Sequence, residues 1–144
     1  MFNWAISMLD TAMHSLNGLL AFATYFALAV LLLLIFVRSY TWLTPHDEFG
    51  LIRANNSAAA IAFGGAIIGF AWPLASAITN SLSLLDCAIW GAVALLIQLI
   101  AFFVSSLMLK QLPKRITEGE MAAGIFSASC SIVVGILNAA SMSY

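Results

Sequence analysis

The sequence predicts an all-α membrane protein with four transmembrane helices, arranged as two tandem helix pairs of the same orientation and preceded by an amphipathic N-terminal helix. Three observations carry that expectation. Hydrophobic side chains make up 63% of the 144 residues and charged ones 8%, whereas a water-soluble globule has roughly a quarter of its residues charged. Four apolar runs each reach the roughly twenty residues a helix needs to cross the hydrocarbon core. All five Lys and Arg residues fall in or beside two of the three connections between those runs.

The first element is residues 2–17. Phe2, Ile6, Leu9, Met13 and Leu16 alternate at spacings of four and three, beside a polar row of Asn3, Ser7, Asp10, His14 and Asn17. That period belongs to an amphipathic helix, which either lies in the membrane interface or runs straight into the first span. No Lys or Arg precedes Arg38, so the positive n-region of a cleavable leader is missing and the segment is expected to stay in the mature protein. The four spans are expected near residues 19–37, 57–78, 87–109 and 121–142, none with a Lys, Arg, Asp or Glu in its interior. Only helices and closed barrels satisfy every backbone polar group in lipid, and the continuous apolar runs lack the period-two alternation of a barrel strand. The domain organisation expected is thus an N-terminal segment 1–17, a first helix pair over 18–79 and a second over 80–142.

Orientation follows from charge. Arg38, Arg53, Lys110, Lys114 and Arg115 lie in or beside the first and third connections, and residues 80–86 contain no basic side chain. The positive-inside rule puts those two connections in the cytoplasm and both termini and the middle loop outside. Trp72 and Trp90 toward the outer ends of spans two and three, and Trp42 beyond the inner end of span one, sit where amphipathic indoles are favoured.

The two halves also resemble each other. At an offset of 64, Ile52-Arg53-Ala54-Asn55-Asn56-Ser57-Ala58-Ala59-Ala60-Ile61 aligns with Ile116-Thr117-Glu118-Gly119-Glu120-Met121-Ala122-Ala123-Gly124-Ile125, and a two-residue shift then pairs Gly69 with Gly135. Two spans per unit give both copies the same orientation, a parallel repeat. At these residues the chain resembles the YjfL-like family of small bacterial inner-membrane proteins, a domain of unknown function (family 350). HDEFGLIRANNSAAAIAFGGAIIGFAWPLASAI is similar to that family's first copy and ITEGEMAAGIFSASCSIVVGILNAASM to its second. In the family an Asn precedes the Ala-rich run of each copy; Asn56 fits that position and Glu120 departs from it. The resemblance, over roughly residues 15–142, implies a bacterial inner membrane and a four-span fold, and no activity.

Small residues recur every fourth position in span two, at Ala54, Ala58, Ala62 and Ala66 with Gly65 and Gly69, and in span four at Ala123, Ser127, Ser131, Gly135 and Ala139. Such stripes let backbones approach closely, the main source of packing attraction in lipid. Spans two and four are therefore expected at the centre, with spans one and three facing lipid. Either stripe could instead join subunits, and a homo-oligomer is expected.

Candidate chemistry is sparse. His46, Asp47 and Glu48, with Glu118 and Glu120 in the matching turn, are candidates for holding a divalent cation. The competing reading is structural: Thr117-x-x-Glu120 fits a capping box, and Asp47 and Glu48 balance Arg38 and Arg53. Inside the spans Gln98 and Asn138 are the strongest hydrogen-bonding side chains. Amides of that kind are more often interhelical glue, worth about 0.6 kcal/mol, than the lining of a solute path. Without an ionisable residue in any span, a self-sufficient proton-driven carrier is not expected. Neither G-x-S-x-G nor H-E-x-x-H occurs, and His14 and His46 are placed on opposite sides of the membrane, so the sequence predicts no enzyme and implies no cofactor. Cys87 and Cys130 read as small apolar packing residues, and the absence of a basic run sets nucleic acid aside. The expected function is a non-enzymatic inner-membrane component, an oligomeric scaffold or stress-related protein whose cytoplasmic turns bind a protein partner. The alternative is an oligomeric ion or small-solute channel or transport subunit.

Overall fold

A computed structural model describes residues 2–142. Met1, Ser143 and Tyr144 lie outside the described residues, as do the side chains of Phe2 and Asn3 from the expected amphipathic row. The chain forms six helices in the order α1 (Phe2–Leu43), α2 (Glu48–Arg53), α3 (Ser57–Asn80), α4 (Leu84–Met108), α5 (Leu112–Thr117) and α6 (Met121–Ser141). Of these, α1, α3, α4 and α6 are long and apolar enough to span a membrane, and the described residues contain no strand. The fold is an all-helical membrane protein with four candidate spans.

Of the two arrangements expected for residues 2–17, the structure has the one that runs straight into the first span, because α1 is unbroken for 42 residues. Gly18 has no Pro beside it, and a lone Gly costs a helix interior only about 1 kcal/mol relative to Ala. At 1.5 Å per residue α1 is roughly 63 Å long. Its inner half carries the buried residues Leu32, Phe36 and Tyr40, while the large side chains from Ile6 to Leu20 are all exposed.

The centre is α3 against α6, and small residues make it possible. A Cβ added to Gly65 would collide with Ala128, one added to Gly124 would collide with the backbone of Ala58, and one added to Gly69 would meet the Ser131 carbonyl and the Gln98 amide. Closest of all is Gly135, whose Cα faces the Gly69 carbonyl. Pro73, buried inside α3, explains why that carbonyl is available: proline has no N–H to offer the carbonyl four residues back. The freed oxygen of Gly69 occupies the place a Gly135 side chain would need. α4 packs across both central helices, Gln98 reaching Ser131 of α6 and Gly91 facing Leu32 of α1 and Leu74 of α3. α1 closes the bundle with an aromatic seam, Phe36 stacked on Phe70 at 4.6 Å and Tyr40 edge-on to Phe102 at 5.5 Å.

The two charged connections close with the same backbone bonds. α2 and α5 are both six residues long and both end on a residue of positive φ, Asn55 at 63° and Gly119 at 81°. Asn55 N donates to the Ile52 carbonyl and Asn56 N to that of Leu51; Gly119 N donates to Ile116 and Glu120 N to Arg115. These are the same bonds 64 positions apart. Closing a helix with one left-handed residue satisfies its last carbonyls, and Asn and Gly are the residues that tolerate that conformation best.

Candidate functional site

The polar and charged side chains gather at the end of the bundle formed by α2, α5 and the start of α3 and α6. Asp47 caps α2, its carboxylate accepting from Gly50 N at 3.0 Å. Asn56 caps α3, its side-chain oxygen accepting from Ala59 N at 2.9 Å. The amide nitrogen of Asn56 donates to the carbonyls of Ile116 and Thr117 at 3.0 and 3.1 Å, so one residue caps its own helix and ties the two connections together. Glu120 occupies the equivalent N-cap of α6 without a side-chain cap bond and instead pairs with Arg115 at 2.5 Å.

That arrangement corrects the expected Thr117-x-x-Glu120 capping box. Thr117 is the last residue of α5, and its hydroxyl donates to the Pro113 carbonyl at 2.9 Å. The short helix α5 uses the threonine before α6 begins, which leaves Glu120 free for Arg115.

The five candidate cation ligands are divided among separate tasks. Glu118 pairs with Lys114 at 3.8 Å on the surface, Glu120 pairs with Arg115, and Asp47 caps α2. No three His, Cys, Asp or Glu among the described residues are placed to hold a metal ion. His46 and Glu48 remain together, with His46 Nε2 3.4 Å from Glu48 Oε1 and side-chain exposures of 9% and 2%. His46 Nδ1 and both Glu48 oxygens have no well-formed hydrogen bond. The Thr44 hydroxyl donates to the Tyr40 carbonyl at 3.1 Å.

Burial sets the proton affinity of both groups. It pushes the Glu48 carboxyl above the usual carboxylate range; the Asp47 charge adds to the rise, and Thr44 and the Glu48 backbone N–H oppose it. It also holds the His46 imidazole below its ordinary value. Both shifts favour the uncharged forms, because removing a charge from water is costly. The sequence offered these residues as candidate cation ligands or as balance for Arg38 and Arg53; the loop after Leu43 instead buries Glu48. His46 then walls a groove of about 560 Å³ whose other side is Gln111, Lys114, Thr117 and Glu118. The first and third connections thus form one surface.

Within the spans, Gln98 is 1% exposed and Asn138 8% exposed. Gln98 Nε2 donates to the Ser131 carbonyl at 3.1 Å, linking α4 to α6, while its Oε1 and Asn138 Nδ2 find no protein partner. Ser76 Oγ donates to the Ala139 carbonyl at 3.0 Å and links α3 to α6. Cys87 is buried and Cys130 partly so, both as free thiols. Pro73 and its effect on Gly69 were missed in the sequence; the signal was a proline four residues after a glycine in a small-residue stripe.

Comparison with known proteins agrees with the fold. The pattern of a family described as a Domain of Unknown Function (DUF350) matches residues 13–142. The chain is 42% identical over 132 residues to the UPF0719 inner membrane protein YjfL of Escherichia coli (strain K12), covering 92% of this chain and 100% of that protein. It is 29% identical over 126 residues to the UPF0719 transmembrane protein YshE of Bacillus subtilis (strain 168), covering 86% of this chain and 94% of that one. No solved structure matches the chain.

Proposed function

The chain belongs to the DUF350 family, and on that premise we propose that it is a non-enzymatic scaffold of the bacterial inner membrane, with both termini outside and a cytoplasmic face that binds a protein partner. The observation that carries this reading is the closed centre of the bundle. α3 and α6 meet backbone to backbone at Gly65, Gly69, Gly124 and Gly135, leaving no room between the central helices for a hydrated solute. The accessible surface lies instead at the charged end, where two connections tied by Asn56 form a groove flanked by Lys114 and Glu118. A mainly apolar groove with charged flanks, on a membrane-embedded support, suits recruitment better than conduction. The name of the Escherichia coli relative supports the inner-membrane location.

The alternative, an ion or small-solute channel subunit, draws on the partnerless atoms of Gln98 and Asn138. Reconstitution into liposomes separates the two. The scaffold reading expects monovalent-ion flux no higher than in protein-free vesicles, and lowered thermal stability for Gln98→Leu, which loses the α4–α6 bond. Flux in the wild type that Gln98→Leu or Asn138→Leu abolishes, with thermal stability unchanged, would establish the channel instead.

A further inference from the structure

The half of α1 that leaves the bundle has no cover in the single chain. Ala21, Phe22, Tyr25 and Phe26 lie beside Ile78, near the end of α3, so residues 2–20 project past the bundle by roughly 28 Å at 1.5 Å per residue. Ile6, Leu9, Met13, Leu16 and Leu20 along this projection are 50–67% exposed. Their spacing alternates three and four and does not stop at the bundle. It continues through Ala23, Ala27, Val30 and Leu34, all exposed, on the side of α1 opposite the buried Leu32, Phe36 and Tyr40.

We infer that this stripe is a parallel coiled-coil seam between α1 helices of two copies of the chain. A three-four repeat held from Ile6 to Leu34 follows a neighbouring helix that supercoils around α1 along its length. A flat membrane surface does not fit, because the projection is collinear with a span. Copies in one membrane share an orientation, so their α1 projections leave the bundle on the same side and run parallel. In heptad terms Ile6, Met13 and Leu20 occupy a, and Leu9 and Leu16 occupy d; the first heptad, Ile6 at a with Leu9 at d, suits a parallel pair. Charge is compatible with self-pairing. Asp10 and His14 are the ionisable residues of residues 2–20; Asp10 falls at an e position facing Ala5 and Ala12 at g of the other copy, and His14 falls at b, off the seam. Where the helix re-enters the bundle's level the seam narrows to Ala23 and Ala27, small residues four apart that let helices in lipid approach closely. Anchoring in one membrane raises the effective concentration of the second helix, so a short seam suffices. The inference is independent of the groove at the other end.

Oxidative cross-linking in native membranes, in a Cys130→Ala parent, tests it. Leu9→Cys and Leu16→Cys place thiols across the seam within disulfide reach and should give at least about fivefold more adduct of twice the chain mass than Thr11→Cys on the far side of the helix. Equal yields, no adduct, or an adduct of another mass would overturn the pairing, the last pointing to a different protein as occupant. The doubly charged variant Met13→Asp with Leu16→Asp should halve the particle mass after mild detergent extraction while leaving the thermal midpoint of the bundle in place. Retention of the wild-type mass would equally sink the inference.

Discussion

Glu48 shows how a side chain read as surface becomes a buried proton acceptor when the chain folds over it. Its described ion-pair contact is with His46, a group that burial keeps neutral. The two shifts have opposite linkage. The raised carboxyl of Glu48 adds stability that is present below the ordinary carboxylate range and is lost as pH rises through its folded value. The lowered imidazole of His46 adds stability that is present above the ordinary imidazole range and is lost as pH falls toward its folded value. Between the ordinary carboxylate value of 4.5 and the ordinary imidazole value of 6.5 these effects oppose each other, so single variants separate them. Glu48→Gln should make the thermal midpoint rise more, or fall less, with pH than in the wild type; His46→Gln should do the reverse. Midpoint-against-pH curves parallel to the wild type in both variants would mean that burial does not bias either group.

At the scale of the helix, the contact of α3 with α6 rests on the absence of side chains at a few positions. Gly135 faces the carbonyl that Pro73 leaves free on Gly69, whereas Gly64 has open space around it. Gly135→Ala should therefore destabilise the protein by roughly 1–3 kcal/mol, the usual cost of forcing atoms into a filled contact. Gly64→Ala should be neutral or stabilising by about 0.5–1 kcal/mol through helix propensity. Thermal or steric-trap unfolding in detergent measures both, and equal effects would show that the two glycines do not differ in packing. The stripes and the central place of spans two and four were legible in the sequence, but whether a stripe packs within the chain or between chains was not. The periodicity allowed either stripe to join subunits, and the structure turns both inward against each other.

For the whole molecule, the placement of charge in the sequence predicts the orientation in the membrane. All five basic residues cluster at the α2 and α5 end, while Leu82, 91% exposed, lies in the uncharged connection at the other end. A membrane-impermeant maleimide applied to intact cells should label Leu82→Cys and spare Lys114→Cys until the membrane is opened. Labelling of Lys114→Cys alone would invert the topology. Composition and run length alone determined the membrane as solvent and the four spans, because the cost of exposing backbone or charge to lipid is large and local to each segment. The likeness of the two connections was legible as two charged turns, whereas the six-residue helices closed at Asn55 and Gly119 were not read from the sequence. Tertiary structure alone decided that α1 continues unbroken beyond the bundle, that α3 and α6 consume both small-residue stripes, and that Glu48 and His46 are buried. Each of those outcomes depends on which surfaces meet across sequence separations of tens of residues, where periodicity gives a face but no partner.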